Sequence, residues 1–222
     1  MRINADFSRR ALVAPHQQQW VASPQAGVER VMLDRVGAEK ARATSIVRYA
    51  PASDFPRHPH PGGEEILVLS GTFSDEDGDF PAGWYLRNPP GSGHAPRSRE
   101  GALIFVKLWQ MPTDERHSVR IDTRNADNWR SVDGRETCAL FSAGYEQVSL
   151  LRLRAGEAVF AAPVEGAEVL VIDGAVTLDE QSHEAGAWMR FPAGELPALA
   201  ADGEGATIYL KTGHLADPAL LP

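Results

Sequence analysis

A single cysteine, Cys138, stands in 222 residues, which excludes an internal disulfide and any zinc cluster built on cysteine alone. It lies in Thr137-Cys138-Ala139-Leu140-Phe141 and reads as a buried strand residue. Apolar runs are short. None approaches the ~20 residues of a membrane span, and Met1-Arg2-Ile3-Asn4-Ala5-Asp6 has no apolar segment behind it to form a signal peptide. Positive charge is also scarce: 22 Lys and Arg face 30 Asp and Glu, for a net charge of −8. The arginines are scattered along the chain, and without a basic face no nucleic acid is expected as a partner. These absences fit a cytoplasmic protein with neither DNA nor a membrane as partner.

Helical periodicity is missing as well. Only residues 24–40 have room for a short helix, and their glycine and β-branched content argues against it. Strand-like segments recur instead at 44–49, 65–69, 103–109, 148–153, 168–172 and 207–211, with Gly, Pro and Asp clusters between them. This is the pattern of an all-β sandwich or barrel. The acidic run Asp75-Glu76-Asp77-Gly78-Asp79 lacks the ligand order of an EF-hand. It reads as the solvated tip of a hairpin.

What the chain does have is His58-Pro59-His60-Pro61-Gly62-Gly63-Glu64, followed by His94. Three imidazoles and a carboxylate are the right donors for a divalent transition metal. A two-residue step puts His58 and His60 on one face of an extended strand. Glu64 follows a Pro-Gly-Gly kink that re-aims it, and His94 arrives from a later strand. His16, His117, His183 and His214 stand alone and read as ordinary polar residues.

Two glycine and proline frames surround these candidates. In the first, Glu64-Glu65-Ile66-Leu67-Val68-Leu69-Ser70-Gly71 follows the His-x-His pair. In the second, Gly83, Pro89, Gly91 and His94 keep the spacing Gly-x5-Pro-x-Gly-x2-His. The frames resemble the two motifs of the cupin superfamily, with Ser98 where the second motif usually ends in Asn. The longer strings, with Pro89-Pro90-Gly91-Ser92-Gly93-His94-Ala95-Pro96, resemble the ChrR-type cupins, a family that includes the C-terminal domain of zinc anti-sigma factors. The resemblance covers about residues 55–108. It implies a metal held by His58, His60, Glu64 and His94, with zinc as the first choice, while the ligand types by themselves also admit Fe(II), Mn, Ni or Cu.

The chain also repeats. A slide of 103 residues sets Gly71 on Gly174, Gly83 on Gly186, Arg87 on Arg190, Pro89 on Pro192 and Gly91 on Gly194. A slide of 104 sets Ile104 on Ile208 and Lys107 on Lys211. Two tandem cupin barrels are therefore expected, residues 1–115 and 116–222, with the division in the 111–128 stretch. On the first slide His58, His60, Glu64 and His94 fall on Ala161, Pro163, Ala167 and Pro197. Turn residues persist where ligands do not, so the second barrel is expected to be degenerate and metal-free. Its apolar faces are expected to bury against the first barrel or, in a homodimer, a symmetry mate. Arg87 and Lys107 persist in the metal-free copy and read as structural. Arg57 and Arg97 have no basic counterpart and stay open as substrate-orienting groups.

Two function classes follow. One is a regulatory or small-ligand-binding cupin. The other is a non-haem metal-dependent dioxygenase acting on small ketones or diketones. A tetrahedral zinc with four protein ligands leaves no open position, whereas an octahedral metal leaves two. Glu65 alternates with Glu64 and is expected to point away from the metal, so no catalytic residue is assigned. The ChrR-type resemblance raises a sigma factor as partner. Sigma binding in that family resides in a separate helical zinc domain, for which residues 1–20 are too short. A sigma factor is therefore not expected as partner, and a small ligand or another protein is.

Overall fold

Alternation with period two builds the sheets. In the strand Ala102–Leu108, residues Ala102, Ile104 and Val106 turn to one face and join Ile66, Val68, Phe73 and Leu86 in a buried cluster. The computed structural model describes residues 1–38 and 40–216. Glu39 and the end of the second expected repeat lie outside the described residues.

The described residues divide into two compact units, one of residues 1–5 and 19–124, the other of residues 6–18 and 125–216. In the first, the strand order is Arg2–Ile3, Val28–Gly37, Ala41–Tyr49, Ala102–Leu108, Glu64–Ser74, Trp84–Asn88 and Val119–Asp122. In the second it is Trp129–Val132, Arg135–Ala143, Glu146–Leu153, Leu199–Thr212, Glu165–Leu178, Trp188–Ala193 and Ala11–Val13. The pairings along both paths are antiparallel. The fold is all-β, with two sheets of matching order.

The repeated glycines have a physical cause. Gly71 sits at φ 67°, and a Cβ there would lie 2.0 Å from the Gly101 carbonyl oxygen. Gly174 repeats this at φ 71°, with a Cβ position 2.3 Å from the Gly205 carbonyl oxygen. Both a left-handed backbone and a close chain approach require glycine there. In the second unit the interior is an apolar cluster that includes Val169, Val171, Leu178, Phe191 and Ile208. Ala167, opposite Phe191, belongs to it, at the position where the first unit carries Glu64.

Residues 24–40, where β-branched content argues against a helix, contain the strand Val28–Gly37. Two expectations change. The units are not cut at 115/116. Val119–Asp122 pairs with Trp84–Asn88 in the first, and Ala11–Val13 pairs with Trp188–Ala193 in the second. Finally, the acidic run does form a turn between Glu64–Ser74 and Asp79–Pro81, but Asp75 is only 1% exposed. The composition of the run alone does not reveal that this one carboxylate turns inward.

Candidate metal centre

The strand His58–His60 pairs with Ser92–His94, placing His94 opposite His58 and Ser92 opposite His60. The chain then turns through Pro61-Gly62-Gly63 into Glu64, the first residue of the long strand. That turn admits nothing larger than glycine. A Cβ on Gly62 would lie 2.5 Å from the Trp109 ring, and one on Gly63 would lie 2.4 Å from the Met111 sulfur. Trp109 itself holds a left-handed φ of 59°, an uncommon state for a bulky residue.

One ligand atom from each of His58, His60, Glu64 and His94 lies within 4.8 Å of all the others. The Nε2 atoms of His60 and His94 are each 3.4 Å from Glu64 Oε2. His60 Nε2 is buried and makes no hydrogen bond, a costly state for a polar atom. A shared cation at this point removes that cost, so the donors fit a transition metal in chemistry and in convergence.

The far side of each histidine is anchored, and Glu64 is held at its cluster-facing oxygen. His58 Nδ1 lies 3.2 Å from the Pro56 carbonyl, His60 Nδ1 3.4 Å from Ser92 Oγ and His94 Nδ1 3.2 Å from Asp75 Oδ2. Asn88 donates to Glu64 Oε2 at 3.0 Å, and Arg120 in turn donates to Asn88 Oδ1 at 2.8 Å. Partners of this kind fix ring orientation and leave Nε2 for the metal.

Electrostatics separates the buried histidines. Burial lowers the His60 pKa, and the neighbouring His94 and His58 add to that against the opposing pull of Glu64. Burial alone would lower His94 too, but the hydrogen bond to Asp75 and the charges of Glu64, Asp75 and Glu76 outweigh it and leave the pKa raised. For Asp75, burial opposes ionisation, yet its bonds to His94 and to the Asp77 amide hold the carboxyl below its ordinary range. Asp75 is thus a carboxylate facing the back of a metal-ligand candidate.

Two cavities flank the cluster. One, of about 240 Å³, is bounded by His58, His60 and Glu64 on the ligand side and by Val47, Tyr49, Ile104, Val106, Leu108 and Trp109 opposite. Burial, helped by the charge of Glu64, pushes the Tyr49 phenol well up, so it stays a neutral donor. The other, of about 310 Å³, lies behind His94 among Arg57, Asp75, Glu76, Asp77, Asn88 and Arg120.

The other sequence candidates fall elsewhere. Arg57 pairs with Glu76 and donates to the Gly93 carbonyl at 2.6 Å, at the rim of the polar cavity. Arg97 lines a separate groove with Asp54, Asp79 and Glu100. Glu65 faces away from the cluster to Arg87, at 3.4 Å, and Lys107 bonds Thr44 Oγ1 at 3.1 Å. Asp75, Asn88 and Trp109 are functional positions that the motif reading passed over. The repeat held a signal for two of them, since the slide of 103 that empties the ligand positions also sets Leu178 on Asp75 and Phe191 on Asn88.

Residues 8–112 match the family model of the ChrR Cupin-like domain. A comparison with curated proteins found no match. Among solved structures, the chain is similar to the bacterial pirin YhhW of Escherichia coli, in complex with nickel(II), at 12% identity and a TM-score of 0.67 over 92% of this chain and 98% of that one. A Cupin 2 conserved barrel domain protein from Leptotrichia buccalis aligns at 15% identity and TM-score 0.57, over 87% and 92%. Oxalate decarboxylase of Bacillus subtilis, a protein with Mn(II) centres, aligns at 12% and 0.61, over 91% and 77%. At such identities the likeness is one of fold, and it spans both units. With the two motifs and the family match together, residues 8–112 belong to the cupin superfamily as a ChrR Cupin-like domain, and the second unit repeats the sheet of that fold.

Proposed function

We propose that this protein is a small-ligand-binding bicupin that holds one divalent transition metal, zinc in the first instance, in its N-terminal barrel. The carrying observation is the convergence of His58, His60, Glu64 and His94, the three imidazoles anchored from behind and the carboxylate held by Asn88. A bound metal would supply a Lewis-acidic point for an oxygen-donor ligand. The protein's own residues then do the rest. Asp75 and Asn88 hold the ligands in place, and the apolar wall around Val106 shelters the bound molecule from water. The second barrel is proposed as a metal-free structural partner, because Ala167 and its apolar neighbours occupy the matching interior. Any regulatory role runs through the bound small molecule and takes place in the cytoplasm.

A second reading is a non-haem dioxygenase of small ketones or diketones, with Fe(II), Mn or Ni in the same site. The cavity against the ligand cluster favours it, since a catalytic metal needs room for substrate beside its protein ligands. Metal analysis of protein purified without chelators, with an oxygen-uptake assay on diketones, separates the two. Tightly held zinc without turnover supports the binding protein, and stoichiometric iron with turnover supports the oxygenase. In either case His58→Ala combined with His60→Ala is expected to abolish stoichiometric metal. Retention of one ion per chain by that double variant refutes the assignment.

A further inference from the structure

Among the described residues, no Lys or Arg lines the cavity in front of the ligand cluster, and the strands explain why. On Ala102–Leu108 the residues Ile104, Val106 and Leu108 face the cavity, so period-two alternation turns Lys107 to the opposite face, where it meets Thr44 Oγ1. Arg87 likewise faces away, toward Glu65. The cations nearest the ligands, Arg57 and Arg120, line the other cavity and are held there by Glu76 and by Asp77 and Asn88. A molecule bound in front of the cluster therefore meets an apolar wall, Tyr49 and the metal position.

Charge balance then limits what this space accepts. A divalent metal with one carboxylate and three neutral imidazoles carries one net positive charge. A neutral donor leaves that charge, and a monoanion cancels it. A dianion leaves an uncompensated negative charge against Val47, Ile104 and Val106, which low-dielectric surroundings penalise strongly. The cavity, of about 240 Å³, also limits the occupant to a compact molecule, whatever its charge.

We infer that the cavity selects compact oxygen donors with an apolar body and no more than one negative charge, and rejects dicarboxylates of the same size. This rests on the metal-binding reading above and narrows it to a ligand class. It also separates this pocket from what the fold alone allows, since a relative of the same architecture is an oxalate decarboxylase.

The test uses the full chain loaded with Co(II), whose visible absorption reports a change of ligand. Acetylacetone and malonate are the probes. Both chelate through two oxygens on a three-carbon frame with the same number of non-hydrogen atoms, but chelated acetylacetone is a monoanion with methyl ends and malonate is a dianion. Each affinity is divided by that of the same probe for aqueous Co(II), so the ratio reports the protein. Acetylacetone is expected to gain about tenfold or more over malonate on the protein. A ratio at or below the aqueous one, or no spectral change with acetylacetone, overturns the inference. Failure of the metal reading has a different signature: no stoichiometric cobalt on the wild-type chain, or cobalt retained by the His58→Ala, His60→Ala variant.

Discussion

Asp75 sits in a run of five residues, four of them acidic, and does something its neighbours do not. Its Oδ1 accepts from the Asp77 amide at 2.8 Å while Oδ2 faces His94 Nδ1 at 3.2 Å. One oxygen closes the turn and the other orients a ligand. Asp75→Asn keeps the size and removes the charge, so metal affinity is expected to fall about 10–100-fold, measured by competition with a chromogenic chelator. Unchanged affinity would mean that Asp75 serves only its turn. The convergence of the four candidate donors was legible in the sequence because their spacing is local and their types are unusual together. Asp75 and Asn88 were less so, because a carboxylate in a loop and an amide before a proline are ordinary on a surface. Only register, with Asn88 opposite Glu64, makes them partners of the site.

At the level of the strand, period-two alternation gives each sheet two distinct faces. The row Lys107, Glu65 and Arg87 lies across three neighbouring strands, and Lys211, Glu168 and Arg190 repeat it in the second unit. These charges are buried in both copies, with Lys211 bonded to Glu146 at 2.7 Å and Trp188 donating to Glu168 at 2.6 Å. Their persistence where the ligands vanish fits a packing role. The turn glycines give a sharper check. Gly91 has φ 84° but open space around its Cβ position, whereas Gly71 meets a carbonyl. Gly91→Ala is expected to cost the left-handed strain alone, on the order of 1 kcal/mol. Gly71→Ala and Gly174→Ala are expected to cost clearly more, about 2–4 kcal/mol, since backbone must also move. Urea unfolding midpoints measure the difference, and equal costs would remove the close approach as the cause. Strand positions were largely readable from composition. Strand ends were not, because Glu165–Leu178 and Leu199–Thr212 run through glycines that sequence reading treats as stops.

For the whole molecule, the notable feature is that chain order and unit membership disagree. The chain leaves the first unit after residue 5, returns at 19 and leaves again after 124. No local pattern announces this, since a short strand such as Ala11–Val13 reads the same whichever sheet it joins. Leu12 packs against the apolar cluster of the second unit, and Arg10 pairs with Asp179 and Glu195. Leu12→Ala removes apolar contact with that cluster, with an expected loss of roughly 1–3 kcal/mol. Amide exchange is expected to rise along Trp188–Ala193 while metal content stays at the wild-type level. Raised exchange confined to residues 1–20 would contradict the pairing. The same arrangement sets a timetable for synthesis. Ala11 pairs with Arg190, 179 positions later, and at about 5–20 residues per second a ribosome needs roughly 10–35 s to deliver that partner. Throughout that interval the arm has left the exit tunnel with its edge unsatisfied, and a nascent-chain chaperone has its longest opportunity to act there.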